Sequence, residues 1–140
     1  MSLISSISGI RGTIGGKVGE NLTPIDIVKY VSAFITLLKE NEPNKTLRIV
    51  VGRDARISGE MVSSIVCGTI QSMGADVIDV GLSTTPTVEM SVVSHKADGG
   101  IIITASHNPM QWNALKLLRS NGEFVSGADG VRIQQWVKEA

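Results

Sequence analysis

Gly99-Gly100-Ile101-Ile102-Ile103-Thr104-Ala105-Ser106-His107-Asn108-Pro109 is the stretch on which the fold turns. Three consecutive isoleucines behind two glycines form a short, β-branched apolar run, the pattern of a strand buried on both faces. Pro109 has no amide hydrogen to donate and pushes Asn108 away from helical backbone angles, so the strand must break into a turn. Small and polar residues therefore follow the strand's C-terminal end, where open α/β sheets receive their ligands. Hydroxyl and amide side chains there allow two readings. They can cap a turn and hold a loop together, or they can face a ligand.

Outward from this strand, apolar runs and helical repeats alternate. On the N-terminal side, Leu47 to Val51 is a compact apolar strand followed directly by Gly52-Arg53-Asp54-Ala55-Arg56. Strand, glycine and charged loop are the layout of a βα crossover with its working loop at the strand's C-terminal end. Arg53 and Asp54 can form an adjacent ion pair that stiffens the loop, or contact a ligand. Ser58 is the expected N-cap of a helix over 59–73, with Val62, Val66, Thr69, Ile70 and Met73 on its buried face and Gly74 at its C-terminal end. Asp76 to Val80 alternates with period two and ends at Gly81. Thr85-Pro86 then opens a shorter helix to about Val93, with His95 in the loop behind it.

Towards the N-terminus, Thr23, Pro24 and Asp26 have the spacing of a capping box with proline at the first helical position. Ile27, Val31, Phe34 and Leu38 recur on one face, and the segment around Pro43 stops the helix. Leu3 to Ile14 reads as an extended segment entering a turn at Gly15-Gly16. Its Arg11, between Ile10 and Gly12, is either a solvated loop arginine or a ligand contact. Beyond the Ser106 loop, Leu115 to Leu118 predicts another strand, and Asn121-Gly122 a tight hairpin with a brief return over 123–125. Ser126, with Asp129 three residues on, opens a last helix with Ile133, Trp136 and Val137 on one face. This order predicts a three-layer α/β/α sandwich around a mixed, mainly parallel sheet, in one α/β/α domain over 1–140.

Composition fits that architecture. The 140 residues are 42% hydrophobic and 19% charged, and 13 basic residues balance 13 acidic ones. That balance gives no reason to expect electrostatic binding to nucleic acid or to a membrane surface. The single cysteine, Cys67, cannot form an internal disulfide and lies among apolar residues of a helix. No apolar run reaches the ~18 residues of a membrane span, so a soluble, cytoplasmic location is expected.

Three stretches in order carry a resemblance: Ser8-Gly9-Ile10-Arg11-Gly12; Gly52-Arg53-Asp54 with Ser58-Gly59; and Thr104 to Pro109 followed by Asn113-Ala114-Leu115-Lys116. Together they resemble the first domain of the α-D-phosphohexomutases, the family of phosphoglucomutase, phosphomannomutase and phosphoglucosamine mutase. The resemblance implies an enzyme that moves a phosphoryl group between C1 and C6 of a glucose, mannose or glucosamine phosphate through a phosphoserine. Ser106 would carry the phosphate. Arg11 would bind it, Lys116 would act as general acid/base, and His107 would hydrogen bond to substrate or phosphate. Asn108 and Arg53 would be further substrate-binding residues.

A hexose 1,6-bisphosphate would serve as intermediate and activator. Magnesium would be held by the phosphate on Ser106 and by an Asp-x-Asp-x-Asp loop. No Asp-x-Asp occurs among these residues, so the resemblance implies later domains of the same enzyme as partners and an isolated domain without turnover. Two departures stand out. Ala114 occupies a position where the family usually has glycine, and Met110-Gln111-Trp112 replaces a more common insert. An alternative is a non-catalytic domain that binds sugar phosphate or nucleotide. A serine hydrolase is disfavoured, because there is no Gly-x-Ser-x-Gly elbow and only His95 and His107 could serve.

Overall fold

The computed structural model describes residues 2–105 and 109–140. Six strands form one sheet: β1 (Ile4–Ser5), β2 (Gly9–Thr13), β3 (Arg48–Arg53), β4 (Asp76–Leu82), β5 (Gly99–Ile103) and β6 (Trp112–Arg119). Four helices join them: α1 (Pro24–Asn41), α2 (Gly59–Ser72), α3 (Thr85–Ser94) and α4 (Gly127–Glu139). No helix among the described residues is long and apolar enough to cross a membrane.

The sheet order is β1-β2-β6-β5-β3-β4. It is mixed, as expected, with β3 parallel to both β5 and β4. The pairings of β1 with β2, β2 with β6 and β6 with β5 are antiparallel, so "mainly parallel" needs correction at the level of pairings. Two of them, β1 with β2 and β5 with β6, join strands adjacent in the sequence, and a short reversal can join only antiparallel neighbours; β2 reaches β6 across about a hundred residues. Leu3 to Ile14, expected as one extended segment, is thus a small hairpin sewn onto β6.

Burial on the two sheet faces follows strand alternation. Ile49, Val51, Ile101, Ile103, Leu115 and Leu117 join the large core under α1, α2 and α4. Val50, Ile102 and Leu118 point the other way and pack with Val88 and Val92 of α3. The three-layer expectation therefore holds, with three helices on one face and one on the other. Helix α3 lies over β3 and β5, which leaves the β6–β2 end of its face open.

Local signals settle most helix starts. Thr23 and Asp26 form the expected capping box, and the Ser126 hydroxyl accepts from the Asp129 amide at 3.2 Å. The cap of α3 is Thr84, one residue before the expected Thr85. Ser58 departs further. It lies in helical geometry and makes no capping bond. Its oxygen accepts instead from the Asn113 side-chain amide, 2.9 Å away and 55 residues on.

Candidate active site

Arg11 and Lys116 are 105 positions apart in sequence, and the sheet brings them together. In the β2–β6 ladder Gly9 faces Lys116 and Arg11 faces Ala114. Directly opposed residues in an antiparallel ladder share a face, as do residues two apart, so both cations project on the α3 side. There they are diagonal neighbours, a relation that long side chains span easily. They line a cavity of about 300 Å³ that also takes in Ser6, Ser8 and Ala114. Arg11 is exposed and Lys116 half-buried, so both heads can meet an anion from solution. Because α3 stops short of this end, the cavity has no helical cover.

Ala114 has ordinary strand geometry, since the only non-glycine residue with positive φ among the described residues is Lys96. Alanine in place of glycine therefore strains nothing here, and its small side chain leaves room for Arg11 opposite.

Strand β5 delivers the chain to the same rim. Ile102 faces Lys116, and the Thr104 amide extends the ladder to the Ala114 carbonyl at 3.1 Å. Ser106, His107 and Asn108 follow directly in the sequence and lie outside the described residues. Arg53, at the end of β3, faces Ile103, so β3 and β5 finish at one edge of the sheet as expected. Arg53 does not join Arg11 and Lys116, however. It alternates onto the α2 side and lines a separate cavity of about 430 Å³ with Glu60, Ser63, Cys67 and Asp79. Burial pushes the Cys67 thiol up from its usual range, which disfavours thiolate chemistry there.

Sequence reading missed a polar network behind the loop. The Arg53 guanidinium donates to the Asp54 backbone carbonyl at 3.3 Å rather than to its carboxylate. Asp54 pairs with Arg56, whose Nε lies 3.3 Å from Oδ2. The same Oδ2 accepts from the Thr104 hydroxyl at 2.7 Å. Arg56 is only 9% exposed, and its Nη1 donates to the carbonyl oxygens of Pro109 at 2.7 Å and Trp112 at 3.3 Å. Asn113, fully buried, ties β6 to Ser58 at the start of α2. The only sequence signal was charge in a post-strand loop, since the partners lie some fifty residues downstream.

The sequence matches the description "phosphoglucomutase/phosphomannomutase, alpha/beta/alpha domain I" over residues 4–140. The chain belongs to this family. A phosphoglucomutase/phosphomannomutase of Thermococcus kodakarensis is 46% identical over 113 residues, 79% of this chain and 25% of that protein. A phosphomannomutase of Klebsiella pneumoniae is 38% identical over 127 residues, 90% of this chain and 77% of that protein. In fold, the chain superposes on the open form of the phosphoglucomutase parafusin of Paramecium with a TM-score of 0.80. That alignment covers 99% of this chain and 26% of that one at 19% identity, a likeness of fold alone. The chain spans about a quarter of the length of the Thermococcus relative.

Proposed function

We propose that this chain is the phosphoserine-bearing domain of a cytoplasmic hexose-phosphate mutase acting on a glucose, mannose or glucosamine phosphate. The observation that carries the reading is the convergence of Arg11 and Lys116 on one sheet face, beside the strand that runs into Thr104-Ala105-Ser106.

In the forward transfer a sugar hydroxyl attacks the phosphorus of phospho-Ser106. The bond from phosphorus to the serine oxygen breaks as the sugar oxygen–phosphorus bond forms; the hydroxyl proton passes to Lys116 in its neutral amine form, and the released serine oxygen takes up a proton from solvent. The resulting hexose bisphosphate turns over and returns its other phosphoryl group to the serine, with Lys116 supplying the proton. Arg11 presents its planar fork to phosphate oxygens, which a lysine matches less well. His107 and Asn108 hydrogen bond to the sugar phosphate, and Arg53 is assigned a more distant contact from its own cavity.

A phosphoserine carries about −1.5 to −2 charges, so a second phosphate in the cleft demands more positive charge than these side chains provide. Bound magnesium would supply that charge. Among the described residues no group of three or more His, Cys, Asp or Glu side chains could hold it. Asp54, whose carboxylate lies beside Thr104, is engaged by Arg56 and Thr104.

Replacing Ser106 tests the assignment. Ser106→Ala in the full-length protein is expected to lower turnover by several orders of magnitude and to abolish a covalent phosphate detected by intact mass. Near-normal turnover refutes it. Tight sugar-phosphate binding with no turnover in the unmodified full-length protein would instead establish a non-catalytic binding domain.

A further inference from the structure

Arg56 has a set of partners that the proposed chemistry has not yet used. We infer that it is a positioning residue for phosphoryl transfer, a role that rests on the mutase reading. From the loop between β3 and α2, its guanidinium reaches the carbonyl oxygens of Pro109 and Trp112, on the downstream flank of Ser106. Through Asp54 it also reaches the upstream flank. Asp54 accepts from the Arg56 side chain and the Thr104 hydroxyl on the same oxygen, and from the Arg56 amide at 3.2 Å on the other. The Asp54 amide donates to Ile103 at 3.0 Å, so this loop is itself seated on β5. One side chain thereby couples the residues on both sides of the phosphoryl-carrying serine to a single rigid loop.

The chemistry of the clamp requires arginine. Its acceptors approach from different directions, and a planar guanidinium offers several N–H groups in a fixed fork. A lysine ammonium is a single point and cannot meet the Asp54 carboxylate and two carbonyls with the same geometry. Burying a guanidinium is unfavourable unless its donors are satisfied, and its acceptors here include the backbone oxygens of Pro109 and Trp112 on the loop flank. The charge is thus held by the segment whose position matters for in-line transfer.

The test uses the full-length protein, pre-loaded with hexose bisphosphate, carrying Arg56→Lys or Arg56→Ala. A misplacement of about 1 Å costs about 10²-fold in rate, so kcat is expected to fall by about that factor in both variants, with KM changed by less than about threefold. Amide exchange at Thr104 and Trp112 should accelerate in both. Should the alanine variant fail to fold, the lysine variant carries the test, because it keeps charge and bulk. If kcat per folded molecule stays within about threefold of wild type in Arg56→Lys while only the melting temperature drops, Arg56 merely stabilises the fold and the inference is overturned. Absence of mutase turnover in the wild-type protein overturns the functional reading and the transfer role with it. The exchange measurements would then report on the clamp alone.

Discussion

Adding one methyl group at Gly9 should separate the two cations without touching either. Gly9 faces Lys116 in the β2–β6 ladder, and a Cβ built on it would lie 2.1 Å from the Leu115 carbonyl oxygen. Real Cβ atoms essentially never approach closer than 3.0 Å, and the obstacle is backbone of a central strand rather than a flexible side chain. Strand β2 must therefore retreat from β6 by about 1 Å or rotate its ladder, shifting Arg11 relative to Lys116. Overpacking of this kind costs about 1–3 kcal/mol. A displacement of about 1 Å in a phosphate-binding group costs about 10²-fold in rate. Gly68→Ala is the matched control, since Gly68 is exposed in the middle of α2 and its added Cβ meets nothing within 4 Å. That change should instead stabilise by about 0.5–1 kcal/mol. Urea unfolding of the 140-residue chain measures both stabilities, and turnover of the full-length protein measures the functional effect. A Gly9→Ala variant within about 0.5 kcal/mol of wild type and with unchanged turnover would show that β2 does not hold Arg11 in register.

Tyr30, on α1, is buried, and its hydroxyl has no hydrogen-bond partner among the described residues, so Tyr30→Phe should gain about 1 kcal/mol at neutral pH. Burial also raises the Tyr30 pKa above its ordinary value, so above about pH 10 the unfolded chain loses a proton that the folded chain keeps. Wild-type stability should fall as pH rises through that range, more steeply than in Tyr30→Phe; equal slopes in urea titrations would contradict this. Burial likewise raises the Cys67 thiol, so at pH 7–8 it should react with a thiol reagent far more slowly than in the urea-unfolded chain, and comparable rates would refute that. The 140-residue chain alone should unfold cooperatively yet fail to interconvert glucose, mannose or glucosamine phosphates with magnesium and a bisphosphate activator. Turnover near that of the full-length protein would place the missing charge within this domain.

What the sequence made legible was the part that local chemistry determines. The capping residues Thr23 and Ser126 lie where their spacing puts them, and Ile101-Ile102-Ile103 is buried on both faces as its composition demands. Positive φ at Gly74 likewise ends α2 as expected. What stayed hidden depends on partners far along the chain. Nothing in Ser8 to Gly12 announces that it pairs antiparallel with a strand a hundred residues later, so the reading gave an extended segment where there is a hairpin. Ser58 has the composition of a cap and is recruited by Asn113 instead. Arg56 looked like one base among several, because its acceptors are carbonyl oxygens, which every residue has and no sequence pattern marks.

The placement of the groups follows a division of mechanical labour. Arg11 is paired on both sides, with Ile4 of β1 and with Ala114 of β6, and Lys116 is paired with Gly9 and Ile102. Both cations therefore stand on interior strands whose backbones cannot shift without breaking a ladder, and only their side-chain rotamers remain free. Groups on strands hold position better than groups on loops, which suits the roles proposed for Arg11 and Lys116. Ser106, the phosphoryl carrier of the proposed reading, follows the last residue of β5 by three positions in the sequence. A loop gains access and loses positional definition. Asp54 and Arg56 restore that definition by fixing the flanks, and they do so from the β3–α2 connection on the far side of β5 from the two cations. On the proposed function, the cavity lined by Arg11 and Lys116 is where the sugar phosphate would bind.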